Sequence, residues 1–133
     1  MNLDIIKIAS DTSHNKIINR YTHKSKFKNK ICGDQIEIKV NINNKLIKDI
    51  GYQTKSCIYC QASASLTSKY LVKKSLKKIE YLSKFLLNYF EGEFQNLPKN
   101  LTKFNILFNK KNISRKDCIL MPLIALKKLG PND

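Results

Sequence analysis

Between Ile36 and Ile42 the chain alternates apolar and polar positions: Ile36, Ile38, Val40 and Ile42 are interleaved with Glu37, Lys39 and Asn41. A period of two turns successive side chains to opposite faces, so it predicts a half-buried strand. Asn43-Asn44 follows as a turn pair, because Asn tolerates positive φ. Leu46 to Gln53 then reads as a returning strand with Leu46, Ile50 and Tyr52 on one face. The two runs predict an antiparallel hairpin; Tyr21 to Lys30 reads as a basic, extended stretch, and about Lys26 to Ile31 is a candidate third strand.

The period changes after Cys57. Ala62, Ala64, Leu66, Tyr70, Leu71 and Val72 predict a helix running to about Lys74. Ser75 is a candidate cap for the next helix, whose apolar stripe is Leu76, Ile79, Leu82, Leu86 and Tyr89, ended by Glu91-Gly92. Leu97 to Asn100 reads as a linker and Leu101 to Phe108 as a short apolar helix. A final helix carries Cys118, Leu120, Leu123, Ile124 and Leu129, with Gly130-Pro131 closing it. Pro122 inside that helix is a misfit, since it lacks an N–H and should kink or delay the helix. At the other end, Leu3, Ile6, Ile17 and Ile18 predict one N-terminal helix from Leu3 to Arg20, interrupted at Ser10 to Ser13. The sum is an α+β domain, a small three-stranded antiparallel β-sheet packed against several α-helices. It forms one domain over residues 1–133: an N-terminal helix in 1–20, the sheet in 26–53 and a helical part in 57–129.

Length and composition agree with one folded unit. The chain has 133 residues, 42% of them hydrophobic, enough to bury a single core. No apolar run approaches the ~18–20 residues of a membrane span, and no secretory leader is evident, so a cytoplasmic location is expected. The formal net charge of +15 raises nucleic-acid binding as a reading. However, 23 of the 25 basic residues are lysine, scattered along the whole length among many Ile and Asn. Phosphate readers favour the bidentate fork of Arg. The charge is therefore read as surface composition, and nucleic acid is disfavoured as a partner.

The four cysteines carry more information. In a reducing compartment, spaced cysteines bind metal or perform sulfur chemistry more readily than they form disulfides. Cys32-Gly33-Asp34 stands at the entry to the first hairpin strand, where Gly33 gives the backbone freedom to turn its neighbours. Cys57 follows the second hairpin strand at a helix start, which favours thiolate over thiol. Cys118 lies on a helix that must pack against the same sheet. Cys57-Ile58-Tyr59-Cys60 is a CxxC sequence, but a zinc ribbon needs a second pair and a thioredoxin-like site needs parallel strands. One of Cys57 and Cys60, not both, is expected to face the site. His14 and His23 are isolated in polar stretches and read as surface residues.

In combination, Cys32-Gly33-Asp34, Lys48-Asp49-Ile50, Cys57-Ile58-Tyr59-Cys60-Gln61-Ala62-Ser63-Ala64-Ser65 and Arg115-Lys116-Asp117-Cys118 resemble the IscU/SufU/NifU-N scaffold proteins. The similarity runs from about Lys30 to Leu126. It implies a metal and cluster site of Cys32, Asp34, Cys57 and Cys118, with Cys60 outside the ligand set because the family often has a small residue there. The 61-residue step from Cys57 to Cys118, together with Arg115, is closer to SufU than to IscU. Asp117 stands where IscU proteins place a His, and no Leu-Pro-Pro-Val-Lys motif is present.

The resemblance implies a non-enzymatic scaffold that binds iron, receives sulfur from a cysteine desulfurase of the SufS/IscS kind, and passes a labile [2Fe–2S] cluster to apo-proteins. Stable clusters usually have four Cys ligands, so a carboxylate at Asp34 suits release better than retention. The alternative is a Cys₃Asp zinc site that acts as a sulfurtransferase, with Cys32 or Cys118 as sulfur acceptor. A basic nucleic-acid-binding module is the remote alternative.

Overall fold

The computed structural model describes residues 3–31, 33–92 and 96–131, the side chains of 130 and 131 excepted. Three strands form the expected antiparallel sheet, β1 (His23–Lys28), β2 (Gln35–Asn43) and β3 (Leu46–Lys55), with β1 three residues earlier than the expected Lys26 to Ile31 because Asn29 to Asp34 is taken up by a hydrogen-bonded turn. A two-residue strand, β4 (Gly130–Pro131), adds to the outer edge of β1, giving the order β3-β2-β1-β4. Gly130-Pro131 thus leaves the last helix and joins the sheet, opposite His23 and Lys24.

The hairpin turn sits one residue later than Asn43-Asn44. Its central residues are Asn44 and Lys45, at φ 53° and 64°, the backbone of a type I′ turn that matches strand twist. The β3 register also departs from simple alternation. A bulge between Asn41 and Ile42 pairs Asn41 with Asp49 but Ile42 with Ile47. Lys48 is therefore the extra residue, and the inward face shifts by one on its N-terminal side. Ile47, 0% exposed, joins Ile50 and Tyr52 in the core, while Leu46, expected inside, is 37% exposed.

The first helix, α1 (Leu3–Ala9), is much shorter than Leu3 to Arg20. The Ser10 hydroxyl donates to the Ile6 carbonyl, and the Asp11 carboxylate accepts from both the Ser13 N–H and hydroxyl. These local bonds offer the backbone an alternative to further helix. Residues 14–18 then run along the exposed edge of β3. The Tyr52 N–H donates to the His14 carbonyl at 2.9 Å, and the His14 ring bonds the Ile50 carbonyl at 3.0 Å. This covers an edge that would otherwise present unpaired backbone groups. His14 and His23, read as surface residues, are half-buried, each with a ring hydrogen bond, and neither is in the group formed by Asp34, Cys57 and Cys118.

α2 (Ile58–Leu71) and α4 (Lys116–Lys127) pack against the sheet, and α3 (Lys77–Leu86) packs on α4. α2 stops at Leu71, short of Lys74, because Lys73 takes φ 69°, a left-handed conformation that ends helices. The Ser75 hydroxyl accepts from the Lys77 N–H at the start of α3, as a cap should. α3 ends at Leu86, ahead of Glu91-Gly92. The short apolar helix expected at Leu101 to Phe108 is a 3₁₀ segment, Lys99–Ile106, which takes Lys99 and Asn100 from the expected linker. A second 3₁₀ segment, Lys110–Arg115, leads into α4.

α4 contacts α2, α3, β1 and β2 and so closes the core. Pro122 sits inside α4 without stopping it. It supplies no N–H to the carbonyl four residues back, and the next carbonyl, Ile119, accepts the buried Ser63 hydroxyl of α2 at 2.6 Å. That bond fastens α4 to α2 three residues before Pro122.

Candidate metal and cluster site

Three chain segments end at the same edge of the domain. The first is the β1–β2 connection. The Asn29 N–H donates to the Asp34 carbonyl, the Gly33 N–H donates to the Asn29 carbonyl, and the Asn29 side chain accepts the Ile31 N–H. Gly33 adopts φ +78°, which a side chain rarely permits. The turn delivers Asp34 to the mouth of β2.

The second segment is the β3–α2 junction. The Thr54 hydroxyl bonds the Gln35 carbonyl and the Ser56 hydroxyl, both at 2.7 Å. The Gln61 amide reaches back to the Ser56 carbonyl at 3.1 Å. Cys57 occupies the N-cap of α2, with φ −72° and ψ 167° and no side-chain capping bond. Its Sγ is thus not committed to the helix backbone. Its N–H donates to Asp34 Oδ2 at 3.3 Å, which ties the two segments together.

The third segment is the start of α4, where Cys118 is the third residue. Just before it, the Arg115 guanidinium lies over the Tyr59 ring at 5.4 Å, clamping the entry of α4 to the first turn of α2. One ligand atom from each of Asp34, Cys57 and Cys118 lies within 4.8 Å of the others, and all three residues are half-buried. Cys57 caps the start of α2 and Cys118 lies in the first turn of α4. Two sulfurs and a carboxylate oxygen at that separation can share one metal ion. Cys32, the fourth residue expected here, lies outside the described residues.

Cys60 behaves differently. It is the third residue of α2, 0% exposed, with its Sγ 3.9 Å from the Thr54 hydroxyl. Burial pushes its thiol up to about 11, against hydrogen bonds to Ser56 and Thr54 that pull it down. It is not in the group formed by Asp34, Cys57 and Cys118. Two supports of the site escaped the sequence: the Tyr59–Arg115 contact and the Ser63–Ile119 bond. Each pairs residues more than fifty positions apart. No sequence signal marked either of them.

Residues 5–108 match the NifU-like N-terminal domain. The chain belongs to that family. Cys118 falls beyond the matched span, and it is the packing of α4 that brings it beside Asp34 and Cys57. An uncharacterized protein of Borreliella burgdorferi is 29% identical over 107 residues, covering 80% of this chain and 70% of that one. Among solved structures, the fold is similar to a SufU protein of Fervidobacterium islandicum, named as an iron–sulfur cluster assembly scaffold for the SUF system. The TM-score is 0.80 at 20% identity, over 96% of this chain and 93% of that one. A NifU-like N-terminal domain from Brucella abortus gives 0.77 at 16% identity, over 94% and 88%.

Proposed function

We propose that this NifU-like domain is an iron–sulfur cluster assembly scaffold that binds iron, receives sulfur and hands on a labile [2Fe–2S] cluster. The observation that supports this most is the meeting of Asp34, Cys57 and Cys118 within 4.8 Å at one half-buried edge. In this reading Cys32 completes the set from the turn that also carries Asp34. The cluster is the cargo, and the chain supplies thiolates poised at two helix ends. The carboxylate is a harder donor, and iron–sulfur cargo leaves it more readily than a fourth thiolate. Cys57 couples the parts, because its N–H holds Asp34 while its Sγ is free to bind.

The sulfur donor in this reading is a cysteine desulfurase, and the recipients are apo-proteins that take a finished cluster. Zinc fits the same donors, and a zinc-loaded protein would act as a sulfur acceptor instead of a builder. Metal and acid-labile sulfide content of anaerobically purified protein separates the two. Iron with equimolar sulfide is expected after reconstitution with a desulfurase, and Asp34→Ala should hold its cluster longer than wild type against a chelator. Stoichiometric zinc without sulfide, or a cluster equally labile in Asp34→Ala, would overturn the proposal.

A further inference from the structure

A second concave surface lies at the other end of α2. Helix α2 runs from the N-cap Cys57, and Tyr70, thirteen positions on, is about 20 Å from it at 1.5 Å per residue. Around Tyr70 is a groove of about 760 Å³. Its floor is apolar, made by Ile8 of α1, Leu66 of α2, and Phe104 and Ile106 of the first 3₁₀ segment. Five of its twelve lining residues are lysine: Lys69, Lys74 and Lys78 from the α2–α3 side, and Lys99 and Lys103 from the 3₁₀ side.

Lys69 is paired with Asp11. Among the described residues, no ion pair is formed by the other four. Lys74 and Lys78 rest instead over the Tyr70 and Tyr81 rings, each at 4.6 Å. The Tyr70 hydroxyl is itself buried with no hydrogen-bond partner among the described residues. A hydroxyl in that state is a donor that an occupant's acceptor oxygen could satisfy.

We propose that this groove is a docking site for an acidic amphipathic helix of a partner protein. An apolar helix face fits the floor through residues spaced three and four apart, and acidic residues on its flanks meet lysines on both banks. A small anion would use one bank and leave the floor uncovered. Lysines on two separate segments with apolar side chains between them match an elongated, two-sided occupant. The formal charge of +15 adds long-range attraction for such a partner. A helix seated here would leave the cysteine edge open, so docking and metal chemistry can proceed together. The proposal stands whether the metal site carries iron–sulfur or zinc.

The test uses a synthetic fluorescein-labelled helix of about five turns, with Leu on one face and Glu along its flanks. Binding to the whole chain is followed by anisotropy at physiological ionic strength. Lys99→Glu with Lys103→Glu is expected to weaken binding by about tenfold, and so is replacing the Leu face of the peptide by Ser. Lys28→Glu with Lys55→Glu, on exposed sheet positions elsewhere, should change it by less than about twofold. Lys74→Gln with Lys78→Gln, checked for an unchanged melting temperature, serves as an independent pair. The proposal is overturned by no binding, by equal binding of the Ser-faced peptide, or by an equal loss in the Lys28/Lys55 pair. It is also overturned if ADP or phosphatidylglycerol vesicles bind through Lys99 and Lys103 while the peptide does not.

Discussion

Gly51 lies in the middle of β3 opposite Lys39, and Gly51→Ala measures how tightly residues 14–18 are fastened over that strand. A Cβ at position 51 would stand 2.6 Å from the Lys16 carbonyl oxygen and 3.1 Å from Ile18 Cγ2. Ordinary contact begins at 3.4 Å, so the Lys16 backbone must retreat by about 0.8 Å. The obstacle is main chain, fastened by the Tyr52 N–H donating to the His14 carbonyl at 2.9 Å; the half-exposed Lys16–Asp49 side-chain ion pair at 3.0 Å adds little. Two effects oppose each other. Ala restricts the unfolded chain more than Gly does, which alone would stabilise by about 0.4–1 kcal/mol. Overpacking against fixed backbone costs about 1–3 kcal/mol, and lifting the segment loosens a hydrogen bond worth about 1 kcal/mol and uncovers Ile18. The clash wins, for a net loss of about 1–3 kcal/mol. Urea denaturation followed by circular dichroism reads it as a lower midpoint at unchanged slope. A variant as stable as wild type, or more stable, would refute the reasoning, because it would mean that nothing firm lies over the β3 edge.

The two buried titrating groups near the core make separable predictions. Cys60 should resist a maleimide at pH 8 while Cys57 and Cys118 are modified, because it is fully buried and its thiol is pushed up to about 11. Peptide mapping by mass spectrometry checks this, and native labelling of Cys60 as fast as Cys57 would contradict the placement. Tyr52, raised to about 12 first by burial and then by the charges of Asp11 and Cys60, stays neutral in the folded protein while the unfolded chain ionises near 10. A raised folded value gives stability that is complete below pH 10 and is lost as pH climbs towards 12. Wild type should therefore lose roughly 2–3 kcal/mol relative to Tyr52→Phe across that window, and parallel pH curves for the two proteins would contradict it.

The hairpin was legible because one face of it is buried, and a period of two then allows only one register. Its local exceptions were not. Nothing in Leu46-Ile47-Lys48 announces that Lys48 is the extra residue of a bulge, so Leu46 was expected inside where Ile47 lies. Ile17 and Ile18 gave a helical expectation for a stretch whose actual task is to cover the β3 edge, a role set by tertiary contacts. At the site, Asp34 and Cys57 could be placed near each other because a strand start and a helix start share a sheet edge. Cys118 could be tied to them only through resemblance. Its position depends on Ser63 bonding the Ile119 carbonyl and on Arg115 covering Tyr59, contacts that no local pattern encodes.

Exposure gives a physical reason for the proposed ligand set to favour release over retention. A third thiol, Cys60, is available in the first turn of α2, yet it is sealed and bonded towards Thr54. The residues that meet are instead the half-buried Asp34, Cys57 and Cys118, each delivered by the end of an element and not by its middle. Chain ends can shift by fractions of an ångström without opening the core, because the core is closed deeper down by Ile119, Met121 and the Ala62–Ser65 face of α2. A socket meant to keep its occupant would draw ligands from those rigid layers, where Cys60 already sits. Under the proposed function, donors at the rim would let the cargo reach solvent and a recipient's ligands while the fold beneath stays intact, which is what handing over a cluster requires mechanically.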